Sequence, residues 1–144
     1  ISPGCPNLID RIEGGLMSYG NDFTKENNPF ECNLEKYCSD KSDHDFIGKN
    51  ALDNIKKQGV KQKLKGVLFD GVDCPPCSIP FPLYSKDKKL IGKITSGIYS
   101  PKFKKNIGLS MVLNEFCKIG SEVLVHTPDN KLRKGIVSSL PFSK

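Results

Sequence analysis

Glu122-Val123-Leu124-Val125-His126-Thr127-Pro128-Asp129-Asn130-Lys131-Leu132-Arg133-Lys134-Gly135-Ile136-Val137-Ser138 decides the fold class. Two apolar-polar runs flank Pro128-Asp129-Asn130, residues that favour a tight turn, so a β-hairpin is predicted over Glu122–Thr127 and Lys131–Ser138. The same texture extends towards the N-terminus. Residues 106–112 read as a strand after a Lys-rich loop. Leu90, Gly92 and Ile94 alternate with Ile91, Lys93 and Thr95, as in a paired strand. Residues 80–84 lead into a turn at Asp87-Lys88, and residues 64–69 form a strand ended by Asp70-Gly71. Several short, closely spaced strands after a helix predict a mainly β chain with minor α, a small barrel or sandwich.

Upstream of the strands, Ile47, Ala51, Leu52 and Ile55 recur at helical spacing over residues 45–58, and Gly59 follows as a stop. Lys56 and Lys57 complement the helix dipole, and the apolar stripe is expected to pack into the core. A shorter helix is predicted over residues 8–14, with Asn7 as N-cap and Asp10 in its first turn. The Pro3-Gly4-Cys5-Pro6 opening cannot be helical. Residues 20–29 are turn-rich, with a cap at Thr24, and residues 30–37 are expected to be extended. Residues 39–45 read as an exposed loop. Its His44, between Asp43 and Asp45, has the neighbours of a metal or proton-transfer site, although a solvated loop histidine is the commoner state.

The 144 residues suffice for one ordinary domain with a useful core, and 37% hydrophobic content predicts folding rather than disorder. No apolar run approaches bilayer length and no signal peptide opens the chain, which predicts a cytoplasmic location and no membrane partner. The chain starts at Ile1 without Met, as expected of a piece of a longer protein. The net charge of +6 raises nucleic acid as a partner. Of its 22 cations, however, only Arg11 and Arg133 are arginine. Base readout favours the rigid Arg fork, and no aromatic-rich strand is present to stack bases, so no nucleic-acid partner is expected. Six cysteines include a single C-x-x-C, Cys74-Pro75-Pro76-Cys77. A zinc ribbon needs a second knuckle, and two prolines fit poorly to a thioredoxin-type helix start. Reduced structural cysteines and no metal site are the expectation.

The stretch with most chemical content is Arg11-Ile12-Glu13-Gly14-Gly15-Leu16-Met17-Ser18-Tyr19-Gly20-Asn21-Asp22. A carboxylate just before paired glycines can be approached by a ligand backbone-close, and it can accept two hydrogen bonds from an amidine-like N–H edge. The plainer alternative is a helix end with Glu13 solvated and Gly14 as a left-handed cap. In order along the chain follow Asn28-Pro29-Phe30-Glu31, Asp45-Phe46-Ile47-Gly48-Lys49-Asn50-Ala51-Leu52 and Thr95-Ser96-Gly97-Ile98-Tyr99-Ser100-Pro101. With Pro3-Gly4-Cys5-Pro6-Asn7, these five motifs together resemble the tetrahydrofolate-dependent aminomethyltransferase family, typified by the T-protein of the glycine cleavage system. Within that family the chain is most similar to the branch that demethylates dimethylsulfoniopropionate, and Cys74-Pro75-Pro76-Cys77 fits a turn of that branch.

The resemblance implies an antiparallel, jelly-roll-like C-terminal β-barrel preceded by the tail of a ferredoxin-like folate-binding domain. Residues 1–45 would be that tail and a linker, and residues 46–144 the helix and barrel. Tetrahydrofolate would be the cofactor, with Glu13 at the pterin and Tyr19 either on the same wall or simply packing. Residues 95–101, including Tyr99, would be a turn facing the folate. Lys102, Lys104 and Lys105 are candidates for the folate's glutamate tail, with a solvated loop as the alternative. The implied reaction moves a methyl group from a sulfonium substrate to tetrahydrofolate, giving 5-methyltetrahydrofolate and methylmercaptopropionate. No catalytic residue is assigned here, because the resemblance places it in an N-terminal domain; the present chain would bind folate weakly and turn nothing over. That N-terminal remainder is the expected partner, and a homodimer is compatible with it. Gly14 and Ser18 depart from the glycine-cleavage branch, which usually has Ala and Leu there, and the basic residue expected after the 29–34 region has no clean match. Aminomethyl transfer in the glycine cleavage system is the nearest competing function. A non-catalytic β-barrel binding module is the alternative of another class.

Overall fold

The computed structural model describes residues 7–38 and 45–142. Helix α1 (Leu8–Glu13) is followed by turns and a 3-10 turn (Glu35–Tyr37), then helix α2 (Lys49–Gln58). Six strands complete the chain: β1 (Gln62–Phe69), β2 (Phe81–Ser85), β3 (Leu90–Ser100), β4 (Lys105–Leu113), β5 (Glu122–Thr127) and β6 (Lys131–Ser138). They close into an antiparallel barrel in the order β1-β4-β3-β2-β5-β6, with β6 paired back to β1. Strands β2, β3 and β4 form a meander and β1 lies beside β4, a Greek-key arrangement. Closure leaves no free sheet edge, which explains how so short a set of strands is stable without a second sheet.

Strand alternation builds two apolar layers. Every strand contributes to the interior: Val67 and Phe69, Phe81 and Leu83, Ile91 and Ile94, Val112, Val123 and Val125, and Val137. A second layer lies outside the barrel, where Leu64, Ile107, Leu109 and Met111 on the outer face of β1 and β4 pack against Ile12, Cys32 and Phe142. The segment from α1 to Leu34 therefore covers one outer face of the barrel. The chain end returns to the same place: the Phe142 N–H donates to the Glu13 carbonyl at 3.0 Å.

Three expectations are corrected. Residues 95–101 are not a turn between strands, because β3 runs unbroken to Ser100. A bulge between Ile94 and Ser96 accommodates the Thr95 residue within the β3–β4 pairing, so the Gly and Ser content marks a kink instead of a chain reversal. Residues 30–37 are not extended. Asn33 takes φ 57° and its amide donates to the Leu64 carbonyl at 2.8 Å, which ties a turn onto the start of β1. Helix α2 begins at Lys49, after Gly48 at φ 96°, and none of its residues is buried. The expected packing of its apolar stripe into the core is absent: Ile47 is fully exposed and Ile55 only half-buried. Amphipathic spacing identified a helix but not what covers it. His44 and the rest of its loop to residue 39, and the opening Pro-Gly-Cys-Pro, lie outside the described residues. No helix among the described residues is long and apolar enough to cross a membrane.

Candidate functional site

Asn7 caps α1 through its side chain, accepting from the Asp10 N–H at 2.9 Å. The helix is short because Gly14 and Gly15 follow, and Gly15 takes φ 69°, a left-handed conformation that favours glycine. Gly14 itself is right-handed at φ −74°, so the left-handed residue is one position later than predicted. This exit turns the chain back across β3 and leaves Arg11 and Glu13 facing the outer side of that strand.

Ser96, Ile98 and Ser100 share that outer face, and the two serines take one motif residue each. The Arg11 Nη2 donates to Ser96 Oγ at 2.7 Å, and Ser100 Oγ donates to Glu13 Oε1 at 2.5 Å. Arg11 is not aimed at a ligand. Its Nη1 also donates to the Leu16 carbonyl at 2.7 Å and pairs with Asp22 Oδ2 at 3.0 Å. The Asp22 side chain is fully buried. Its Oδ1 accepts from Thr95 Oγ1 and Ser96 Oγ, both at 2.6 Å, and its Oδ2 accepts from the Ser18 N–H at 2.8 Å. Asn21 adds donors to the Thr95 carbonyl and Ser96 Oγ, each at 2.9 Å. A buried carboxylate is tolerated only when paired and hydrogen-bonded, and this one is. The Arg11–Asp22 cluster thus clamps residues 11–22 onto the β3 bulge.

Glu13 is different. It is 9% exposed, and its Oε2 faces only the Lys102 Nζ at 3.7 Å among the described residues. A carboxylate oxygen can accept two hydrogen bonds, so Oε2 retains accepting capacity. Lys102 is more than half exposed and its Nζ also lies 5.2 Å from the Phe103 ring centre, so the cation can leave Oε2 at little cost.

Of the residues singled out from the sequence, Glu13 and Lys102 are brought together, and the two tyrosines are not. Tyr19 is 68% exposed and lies edge-on to Phe23, with ring centres 5.5 Å apart. Tyr99 is paired with Asn106 in the β3–β4 ladder and, by alternation, faces away from Ser100 and Glu13. The lysine cluster also divides, since Lys105 Nζ is held by Asp70 Oδ1 at 2.6 Å. Asp22 had no role predicted, and Ser96 and Ser100 were named only as part of the 95–101 stretch expected to face the folate. Two serines four residues apart on one strand face were the available signal.

Cys74-Pro75-Pro76-Cys77 continues the pairing of β3 beyond the end of β2. The Cys74 carbonyl accepts from the Tyr99 N–H at 3.1 Å, and the Cys77 N–H donates to the Gly97 carbonyl at 3.0 Å. Both are free thiols. Burial, reinforced by the neighbouring Cys74, pushes the Cys77 thiol up from 9.0 to about 11, far from the range of a nucleophilic thiolate. Among the described residues no group of three His, Cys, Asp or Glu side chains is gathered to hold a metal.

Comparison with known proteins places this geometry in a lineage. Residues 67–144 match the glycine cleavage T-protein C-terminal barrel domain. The chain is 41% identical over 129 residues to the dimethylsulfoniopropionate demethylase of Ruegeria pomeroyi, covering 90% of the chain and 34% of that protein. It is 36% identical over 134 residues to an aminomethyltransferase of Bacillus velezensis, covering 93% of the chain and 36% of the relative. The crystal structure of the glycine cleavage system aminomethyltransferase T from Bartonella henselae superposes with a TM-score of 0.81 at 25% identity, over 93% of this chain and 37% of the other. The chain spans about a third of the length of these relatives. With the closed antiparallel barrel, these matches establish that the chain belongs to the glycine cleavage T-protein C-terminal barrel family.

Proposed function

We propose that the chain is the C-terminal part of a tetrahydrofolate-dependent methyltransferase that demethylates dimethylsulfoniopropionate, acting in the cytoplasm. The observation that carries this is the 41% identity to a dimethylsulfoniopropionate demethylase across 90% of the chain, against 36% to the aminomethyltransferase of Bacillus velezensis. The geometry supports a role for Glu13 in holding the cofactor. A pterin presents adjacent N–H donors on one edge, and Glu13 offers a carboxylate with Oε1 held by Ser100 and Oε2 facing the half-exposed Lys102. That donor set fits the group.

Tetrahydrofolate, when bound, supplies the N5 that accepts the methyl group. The residues of this chain bind and orient: Glu13 fixes the ring, and Lys102, displaced from Oε2, is placed to meet anionic parts of the cofactor. A sulfonium already carries a good leaving group, so alignment of two bound molecules provides much of the acceleration. Catalytic side chains belong to the N-terminal remainder, with residues 1–45 as the tail of the folate-binding unit and linker and 46–144 as the helix and barrel. Aminomethyl transfer is the second reading, favoured by the superposition on an aminomethyltransferase of the glycine cleavage system. Assaying the full-length enzyme separates them. The proposal expects a thioether and 5-methyltetrahydrofolate from dimethylsulfoniopropionate, and it fails if only the aminomethyl-lipoyl donor is turned over.

A further inference from the structure

We propose that Ser100 is a positioning residue for tetrahydrofolate binding, presetting the Glu13 carboxylate; this rests on the assignment of Glu13 to the pterin. Ser100 is completely buried and 87 residues from Glu13 in sequence, so the contact is a product of the fold. Its hydroxyl has one proton and two lone pairs. The Phe103 N–H donates to Ser100 Oγ at 3.2 Å, which occupies a lone pair and leaves the proton for Glu13 Oε1 at 2.5 Å. The Phe142 N–H meanwhile holds the Glu13 backbone carbonyl at 3.0 Å. Backbone and side chain of Glu13 are therefore each fixed by one donor, from the C-terminal tail and from β3. With Oε1 engaged by Ser100, rotation of the carboxylate is restricted and Oε2 is the oxygen left for other partners, 3.7 Å from the Lys102 Nζ. A ligand with a two-point N–H edge then meets an oriented acceptor instead of a rotating one, which reduces the ordering cost of binding.

A contact that only anchors α1 would behave like the Ser96–Arg11 bond, which joins the same helix to the same strand face. The test uses the full-length enzyme, with tetrahydrofolate titrated at equilibrium and unfolding midpoints recorded for each variant. Ser100→Ala is expected to weaken tetrahydrofolate by about tenfold, as loss of a hydrogen bond to a charged acceptor would. Ser100→Thr, which keeps the hydroxyl, is expected to recover most of the affinity. In a Glu13→Ala background, which removes the acceptor for Ser100, Ser100→Ala should add less than about twofold, because the residue acts through Glu13. Ser96→Ala should lower the unfolding midpoint without that loss of affinity. Should Ser100→Ala not fold, Ser100→Cys, a weaker donor of similar size, decides by an expected loss of about threefold. The inference is overturned if Ser100→Ala or its Cys substitute binds tetrahydrofolate as the unaltered enzyme does, or if its loss persists undiminished beside Glu13→Ala. Unchanged affinity in Glu13→Gln alone overturns the Glu13 assignment itself. A weakened Glu13→Gln with unaltered Ser100 variants overturns only the positioning role.

Discussion

Asp22 accepts hydrogen bonds from Arg11, the Ser18 N–H, Thr95 and Ser96, and the last two were not visible from neighbouring sequence. Its partners Thr95 and Ser96 lie 73 and 74 residues away, and local pattern carries no information on such pairing. Arg11 and Glu13 were legible as a motif, but the division of labour between them was not. The first is consumed by Asp22, Leu16 and Ser96, and the second keeps an oxygen that meets only Lys102 among the described residues. Asp22→Ala should destabilise the chain by about 3 kcal/mol in urea unfolding, because it strands the Arg11 charge and the Thr95 and Ser96 hydroxyls without their acceptor. A change under 1 kcal/mol, roughly the worth of an exposed pair, would show that the cluster is not desolvated. Cys77 gives a pH dependence. Its thiol ionises near 9.0 when unfolded and near 11 when folded. The stability due to the neutral buried thiol is complete below the unfolded value and is lost as pH rises through the folded one. Urea midpoints measured from pH 8 to 11 should fall, and Cys77→Ala should fall less steeply across that window.

Among the elements, the strands were read best. The hairpin of β5 and β6 and the cores of β1, β2 and β4 follow from alternation and turn residues, which are local. The far half of β3 was misread because Gly97 and Pro101 suggest chain reversal, whereas β3 is held by β4 on one side and by the 74–77 segment on the other. Helix α2 shows the opposite failure: its periodicity was right and its burial wrong, since spacing specifies a face and not a neighbour. Close approach also constrains β3. A Cβ on Gly92 would lie 2.2 Å from the Met111 carbonyl oxygen, which belongs to the paired strand and cannot move aside. Gly92→Ala is therefore expected to cost more than about 2 kcal/mol, read as a lower unfolding midpoint. An unchanged midpoint would mean that β3 and β4 are not registered as described.

At the scale of the whole molecule, closure of β6 onto β1 makes the barrel a self-contained core, and α1 is laid across its outside by the layer around Ile12, Leu109 and Phe142. The site arises where that outer layer ends, at the last residue of α1 and the last residue of β3. Sequence motifs pointed to family and to Glu13, because the Arg-x-Glu-Gly-Gly run is contiguous. The serine that completes the site came from a stretch read as a turn that is the end of β3. One titration bears most directly on the central claim, the binding of tetrahydrofolate to the full-length enzyme with and without Glu13→Gln. Gln keeps an acceptor for Ser100 but removes the charge, so affinity should fall roughly 30-fold while the unfolding midpoint is retained. Equal affinity in the two proteins would contradict the assignment of this carboxylate to the pterin.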